Sequence, residues 1–188
     1  MEMKEVVNEV KKFVELECKK PESCYGSEIY FCHFIPMVSY AKMLCRDFED
    51  IDKDVVVLSA WLHDIGSVMK GREDHHITGA NIAGQKLKQL GVDDDIIEKV
   101  QCCIYTHRGS RGLKRESKEA QIIADADTLS AFDNISGLFK AAIFHENLNQ
   151  VQAKASVKQK LLNSWEKLSP KAKELIRNKY EAAMILLS

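Results

Sequence analysis

Apolar residues recur along this chain at three- and four-residue intervals almost from end to end, the period of helices with one buried face. Val6, Val10, Phe13 and Val14 mark a first helix, broken by the stretch 21–26. A second helix is predicted from near His33, with Pro36 tolerated in its first turn and Met37, Tyr40, Ala41 and Leu44 sharing the face of His33. Residues 54–66 predict a short, strongly apolar helix, capped by Asp52 or Asp54 and ended by Gly66. His76, Ala80, Ala83, Leu87 and Leu90 line the next, which Gly91 closes; Gly79 and Gly84 in it allow a neighbouring helix to come close. Asp93 to Asp95 suit the start of a helix with the face Ile96, Val100, Cys103, His107. A helix follows from about Glu119 toward His145, and two more cover about 151–165 and 170–187, the last opened by Ser169-Pro170. No run alternates as a strand would. The expected fold is all-α, one compact helical domain over residues 1–188.

Composition narrows the class. A chain of 188 residues, 45% hydrophobic and 29% charged, has the make-up of a soluble globular protein with a sizeable core. Its net charge of -1 offers no electrostatic footprint for nucleic acid or an anionic membrane. No apolar run approaches a membrane span, and the first five residues do not read as a signal peptide, so the expected location is the cytoplasm. The six cysteines (18, 24, 32, 45, 102 and 103) lack C-x-x-C spacing and read as reduced thiols, not a zinc site.

Certain polar residues do not fit a plain core. His63 continues the stripe of Val56 and Ala60, and Asp64 that of Val57 and Ala60. A carboxylate on a buried face is costly unless it is paired or bound to a metal. His33, His76 and His107 sit on apolar faces in the same way. One such histidine reads as a hydrogen-bonded core residue. Four on separate helices, with Asp64 and the pair Asp125 and Asp127, form the ligand set of a divalent transition metal: Mn²⁺, Fe²⁺, Co²⁺ or Zn²⁺. His75 and His145 lack that context and read as structural or surface residues. There is no G-x-S-x-G elbow or phosphate-binding glycine loop.

The order of these residues is informative. A histidine opening one helix, His63-Asp64 ending the next, and an aspartate within Ile122 to Leu129 resemble the H…HD…D pattern of the HD-domain metal-dependent phosphohydrolases. The likeness runs from His33 to about Ser136, with His76-Ile77-Thr78-Gly79-Ala80 and Ile104-Tyr105-Thr106-His107-Arg108 between. It implies His33, His63 and Asp64 as ligands of a first metal. The family's last ligand lies in Ala-Asp-x-Leu, matched here by residues 126–129, which implies Asp127 over Asp125. His76 and His107 match histidines that hold a second metal or contact the substrate phosphate. Glu73 and Asp74 are similar to an acidic pair that orients water in some members.

The implied activity is removal of phosphate or pyrophosphate from a small phosphorylated metabolite, a nucleotide foremost, by a water that one or two metal ions activate. Asp64 would bind metal and orient that water. Of the cations nearby (Arg72, Arg108, Arg111, Lys114 and Arg115), Arg108 is best placed to bind and neutralise the phosphate. Two alternatives stand beside this reading: a metal-containing HD regulatory or scaffold protein, and an HD-type di-iron oxygenase. The expected partner is the small substrate, with neither nucleic acid nor membrane, and a homo-oligomer is left open.

Overall fold

The computed structural model describes residues 1–108 and 114–188; Arg111 lies outside the described residues, as does the middle of the basic stretch around it. The described chain is helical, without strands. Helix α1 (Met3–Lys19) buries Val6, Val10, Val14 and Cys18, one residue per turn. After the break at 21–26 the chain re-enters helix as a widened turn, Tyr30–Phe34, that runs straight into α2 (Ile35–Leu44). His33 therefore stands within that widened turn, just ahead of α2, not at its first residue.

Helix α3 (Lys53–Leu62) is capped by Asp52, whose carboxylate accepts from the amides of Asp54 and Val55. From Val55 to Leu62 it is enclosed almost all round, as an apolar run broken only by Ser59 requires. The expectation of one helix ended by Gly66 needs correction. Helix α3 stops at Leu62, His63 and Asp64 form a turn, and α4 (Ile65–Lys70) begins at once with Gly66 inside it. Close packing explains the glycine: a Cβ there would lie 2.3 Å from the carbonyl oxygen of His75 and 2.6 Å from the amide nitrogen of Gly79.

Helix α5 (His75–Gln89) uses Gly79 in the same contact, and it packs along α6 (Asp94–Thr106), capped by Asp93. Helix α7 (Lys118–Asp133) crosses α2, α3 and α6. The predicted helix toward His145 is broken at Asn134, which caps α8 (Ile135–Lys140); a wide turn, Ala141–His145, follows. Helices α9 (Gln150–Lys167) and α10 (Pro170–Leu186) close the chain, with Ser169 capping the latter. Buried side chains from Val6 to Leu187 form one connected core. Among the described residues no helix is long and apolar enough to cross a membrane.

All six cysteines are unpaired. Cys18 and Cys103 are buried, and desolvation pushes each thiol up to about 12, so both remain protonated.

Candidate metal centre

The turn between α3 and α4 is the hub. It carries the fully buried His63 and the neighbouring Asp64, and four other chain segments converge on it. His33 arrives from the turn before α2, Asp127 from α7, His75 from the first residue of α5, and His107 from the residue after α6. Each histidine sits at a helix end or in a widened turn, where the chain direction changes and the side chain can leave the packed face.

The ring nitrogens are sorted in one sense. Nδ1 of His63 lies 3.0 Å from the carbonyl oxygen of Ala60, Nδ1 of His75 2.8 Å from that of Arg72, and Nδ1 of His107 2.5 Å from that of Ile104. A carbonyl can only accept, so each Nδ1 carries a proton. His33 reaches the same state differently. Its Nδ1 is 2.8 Å from Ser130 Oγ, whose own proton goes to the carbonyl oxygen of Asp127 at 2.7 Å. The hydroxyl therefore accepts from His33. In their neutral forms all four imidazoles present an Nε2 lone pair to the interior.

Those lone pairs face one another. The Nε2 atoms of His33 and His63 are 2.9 Å apart, and those of His75 and His107 3.3 Å apart. Two lone pairs cannot bond, so each pair needs a proton or a cation between them. Asp64 stands between the pairs. Its Oδ2 is 3.5 Å from His33 Nε2 and 3.9 Å from His63 Nε2, while its Oδ1 is 3.4 Å from His75 Nε2 and 3.8 Å from His107 Nε2. Asp127 Oδ1 completes the first group, 3.6 Å from His33 and 3.7 Å from His63. Two donor sets result, both sharing Asp64 and both of the right chemistry for a first-row divalent ion.

Electrostatics reflects the crowding. Burial opposes ionisation of Asp64, yet the imidazoles of His63, His107 and His33 outweigh it and hold the carboxyl well below its usual range. Burial likewise opposes ionisation of Asp127, and His63 and His33 pull its carboxyl down. Desolvation works against the charged forms of His33 and His107, but Asp64 and Asp127 push both above the ordinary imidazole value. His75 moves the other way, because desolvation dominates.

Not every expected residue joins the cluster. His76 was the expected companion of His107, but His75 stands there. Adjacent residues on a helix diverge by about 100°, and the ring of His76 is carried to the side of Tyr105 (centroids 5.4 Å apart) and Arg108, whose Nη1 is 3.5 Å from its Nδ1. Asp125 is turned from the cluster. Its Oδ1 accepts from Gln121 Nε2 at 3.1 Å and the amide of Ser169 at 3.3 Å, and burial pushes its carboxyl up. Glu73 and Asp74 occupy the exposed turn before α5, where the Glu73 carbonyl accepts from Arg108. His145 lies edge-on to Tyr25, with ring centroids 6.2 Å apart.

The cluster opens into a cavity of about 340 Å³. His33, Asp64, His75, His107 and Asp127 form its floor, and Arg72, Arg108 and Lys160 stand on its walls with Tyr25. Lys160, on α9, was not anticipated; nothing in its local sequence links it to a site more than thirty residues away. Ser130 does carry a signal, lying one turn after Asp127 on α7.

Comparison with known proteins accords with this geometry. The family model described as HD domain matches residues 30–131, more than half of the chain, and that span contains every residue of the cluster. The chain is 30% identical over 130 residues to a tRNA (cytidine(56)-2'-O)-methyltransferase of Picrophilus torridus, a match covering 62% of this chain and 36% of that protein. It is 26% identical over 133 residues to the 3'-5' exoribonuclease YhaM of Shouchella clausii, covering 64% of this chain and 40% of that one. The chain thus spans well under half the length of these relatives. No solved structure matches it significantly.

Proposed function

The chain belongs to the HD-domain family, and on that premise we propose that it is a metal-dependent phosphohydrolase, cleaving a phosphate ester or anhydride bond of a small phosphorylated metabolite, a nucleotide foremost. One observation carries the reading: four imidazoles, each with its Nδ1 turned to a carbonyl or hydroxyl oxygen, aim their Nε2 atoms at the two oxygens of one carboxylate. His33, His63, Asp64 and Asp127 would hold one divalent ion, and Asp64, His75 and His107 a second. Ions bound there supply Lewis-acid charge to phosphoryl oxygens and make hydroxide accessible near neutral pH.

The protein's own contribution is orientation and charge. Ser130 and the carbonyls of Ala60, Arg72 and Ile104 hold the four rings in one tautomer, so no reorganisation is needed when a ligand arrives. Asp64, kept ionised by its neighbours, faces both donor sets and would orient an attacking water. Arg108, Arg72 and Lys160 face the same space and would neutralise the phosphoryl oxygens and the departing group. His76 lies behind Arg108 and would steady its guanidinium against the substrate. The two relatives act on RNA by their names, which makes nucleotides the first substrates to try.

The test is metal analysis of the purified protein, followed by phosphate and pyrophosphate release from a panel of phosphomonoesters, nucleotides and cyclic nucleotides. His63→Ala and Asp64→Ala should lose both metal and turnover. A fully metallated protein inactive on the whole panel would overturn the hydrolase reading in favour of a regulatory HD protein.

A further inference from the structure

Beyond the metal cluster lies a second cavity, of about 240 Å³, that the hydrolytic reading does not use. His107, Asp127 and Arg72 line it on one side and the larger cavity on the other, so the two spaces meet at the cluster. Arg115 and Lys167 bring two further cations, and Thr128 and Ser164 bring hydroxyls.

Arg115 is the informative member. One terminal nitrogen donates to the carbonyl oxygen of His107 at 3.4 Å, which fixes the guanidinium against the back of the cluster. Its Nε is buried and has no hydrogen-bond partner among the described residues. A guanidinium keeps its charge at any physiological pH, and a buried donor on it left unmet is unfavourable. Two acids share the lining: Asp127, whose Oδ1 faces His33 and His63, and Asp125, which feels the charge of Arg115 but accepts from Gln121 and Ser169 through Oδ1. Three cations (Arg72, Arg115 and Lys167) and two hydroxyls outnumber these carboxylates in the lining, a set that suits an oxyanion held by a guanidinium fork and an ammonium.

We propose that this cavity is a second anion subsite, which makes the substrate class a metabolite carrying a second phosphate beside the scissile one. The phosphate is either reached along a polyphosphate chain or held separately, as in a bisphosphate; the shared chemistry is two phosphoryl groups, one over the cluster and one against Arg115 and Lys167. The substrate assignment rests on the phosphohydrolase reading. The binding of an anion in this cavity does not.

Two measurements on the purified, full-length protein separate those claims. In the first, hydrolysis of p-nitrophenyl phosphate is compared with hydrolysis of a nucleoside triphosphate and of adenosine 3',5'-bisphosphate. Arg115→Gln and Lys167→Gln should raise KM about tenfold or more for the substrate with two phosphates, the effect of losing a charge-assisted contact. They should leave p-nitrophenyl phosphate turnover unchanged. An equal effect on both kinds of substrate, or none on either, overturns the subsite.

The second measurement needs no turnover. Calorimetric titration with adenosine 3',5'-bisphosphate and with adenosine 5'-diphosphate should show one of the two binding tighter than adenosine 5'-monophosphate, with the advantage lost in both variants. No advantage in the wild type overturns the subsite whatever the reaction proves to be. Lys167 is exposed, so its variant keeps the test valid if Arg115→Gln folds poorly.

Discussion

Replacing Gly66 by alanine separates helix propensity from site geometry, because the two predict opposite signs. Gly66 lies within α4, where alanine on its own merits would stabilise the helix by roughly 1 kcal/mol. The structure opposes that gain. The added Cβ would sit 2.3 Å from the His75 carbonyl oxygen, 2.6 Å from the Gly79 nitrogen and 2.7 Å from Thr78 Oγ1. Two of the three are backbone atoms, and the first falls about 1 Å short of ordinary contact. The start of α5 must therefore move, and His75 is its first residue.

Overpacking of this kind typically costs about 1–3 kcal/mol, and a backbone clash belongs at or above the upper end, leaving roughly 2 kcal/mol net loss. For a chain of this size that is a fall in Tm of about 4–8 °C. Gly84→Ala is the matched control. Its Cβ meets only the end of the Gln101 side chain, at 2.4 Å, which can swing aside at the expense of a bond to the Ala80 carbonyl. Thermal unfolding and metal content of both variants are the assay: Gly66→Ala should melt lower and lose metal from the His75 side, while Gly84→Ala should stay near wild type in both. A Gly66→Ala protein that melts higher with its metal intact would show that α5 does not clash with the added methyl group.

Three further outcomes are expected. Ser130→Ala should leave the fold intact but weaken metal binding by about 10–100-fold in equilibrium titration, because His33 loses the group that fixes its tautomer; Ser130→Thr should restore much of it. Asp127→Asn should lose metal, whereas Asp125→Asn should keep it and melt slightly higher at neutral pH. The raised carboxyl of Asp125 disfavours the folded state once the unfolded chain can ionise, so this gain should vanish below the usual carboxyl range. Metal affinity should fall with pH, and the loss should begin above the ordinary imidazole value of about 6.5, because His33 and His107 hold their protons more strongly and must release them to bind metal. An affinity flat through pH 7 would count against that.

The helices were legible because their apolar faces repeat with the helical period, and their starts because Ser169, Asp93 and Asp52 are capping residues. What local pattern could not supply was the break at His63 and Asp64. Gly66 reads as a terminator by residue type, yet here it makes room for a crossing helix, a fact that depends on a partner distant in sequence. The choice of His76 over His75 failed for a related reason. Both side chains are buried, and the apolar stripe of Ala80, Ala83 and Leu87 points to His76. The competing stripe, His75, Gly79 and Ala83, is made of small residues, which mark the face approached most closely by α4. Asp127 could be chosen over Asp125 from its four-residue context, whereas Lys160 and Lys167 enter only through the packing of α9.

In the dinuclear reading Asp64 is shared by two metal sites, the second built on His75. Metal stoichiometry, measured on protein saturated with Mn²⁺ and compared among wild type, His75→Ala and His76→Ala, tests it most directly. Two ions are expected in the wild type, one in His75→Ala and two in His76→Ala; a wild type that saturates at one ion, or a His75→Ala protein that still holds two, would rule out a shared Asp64.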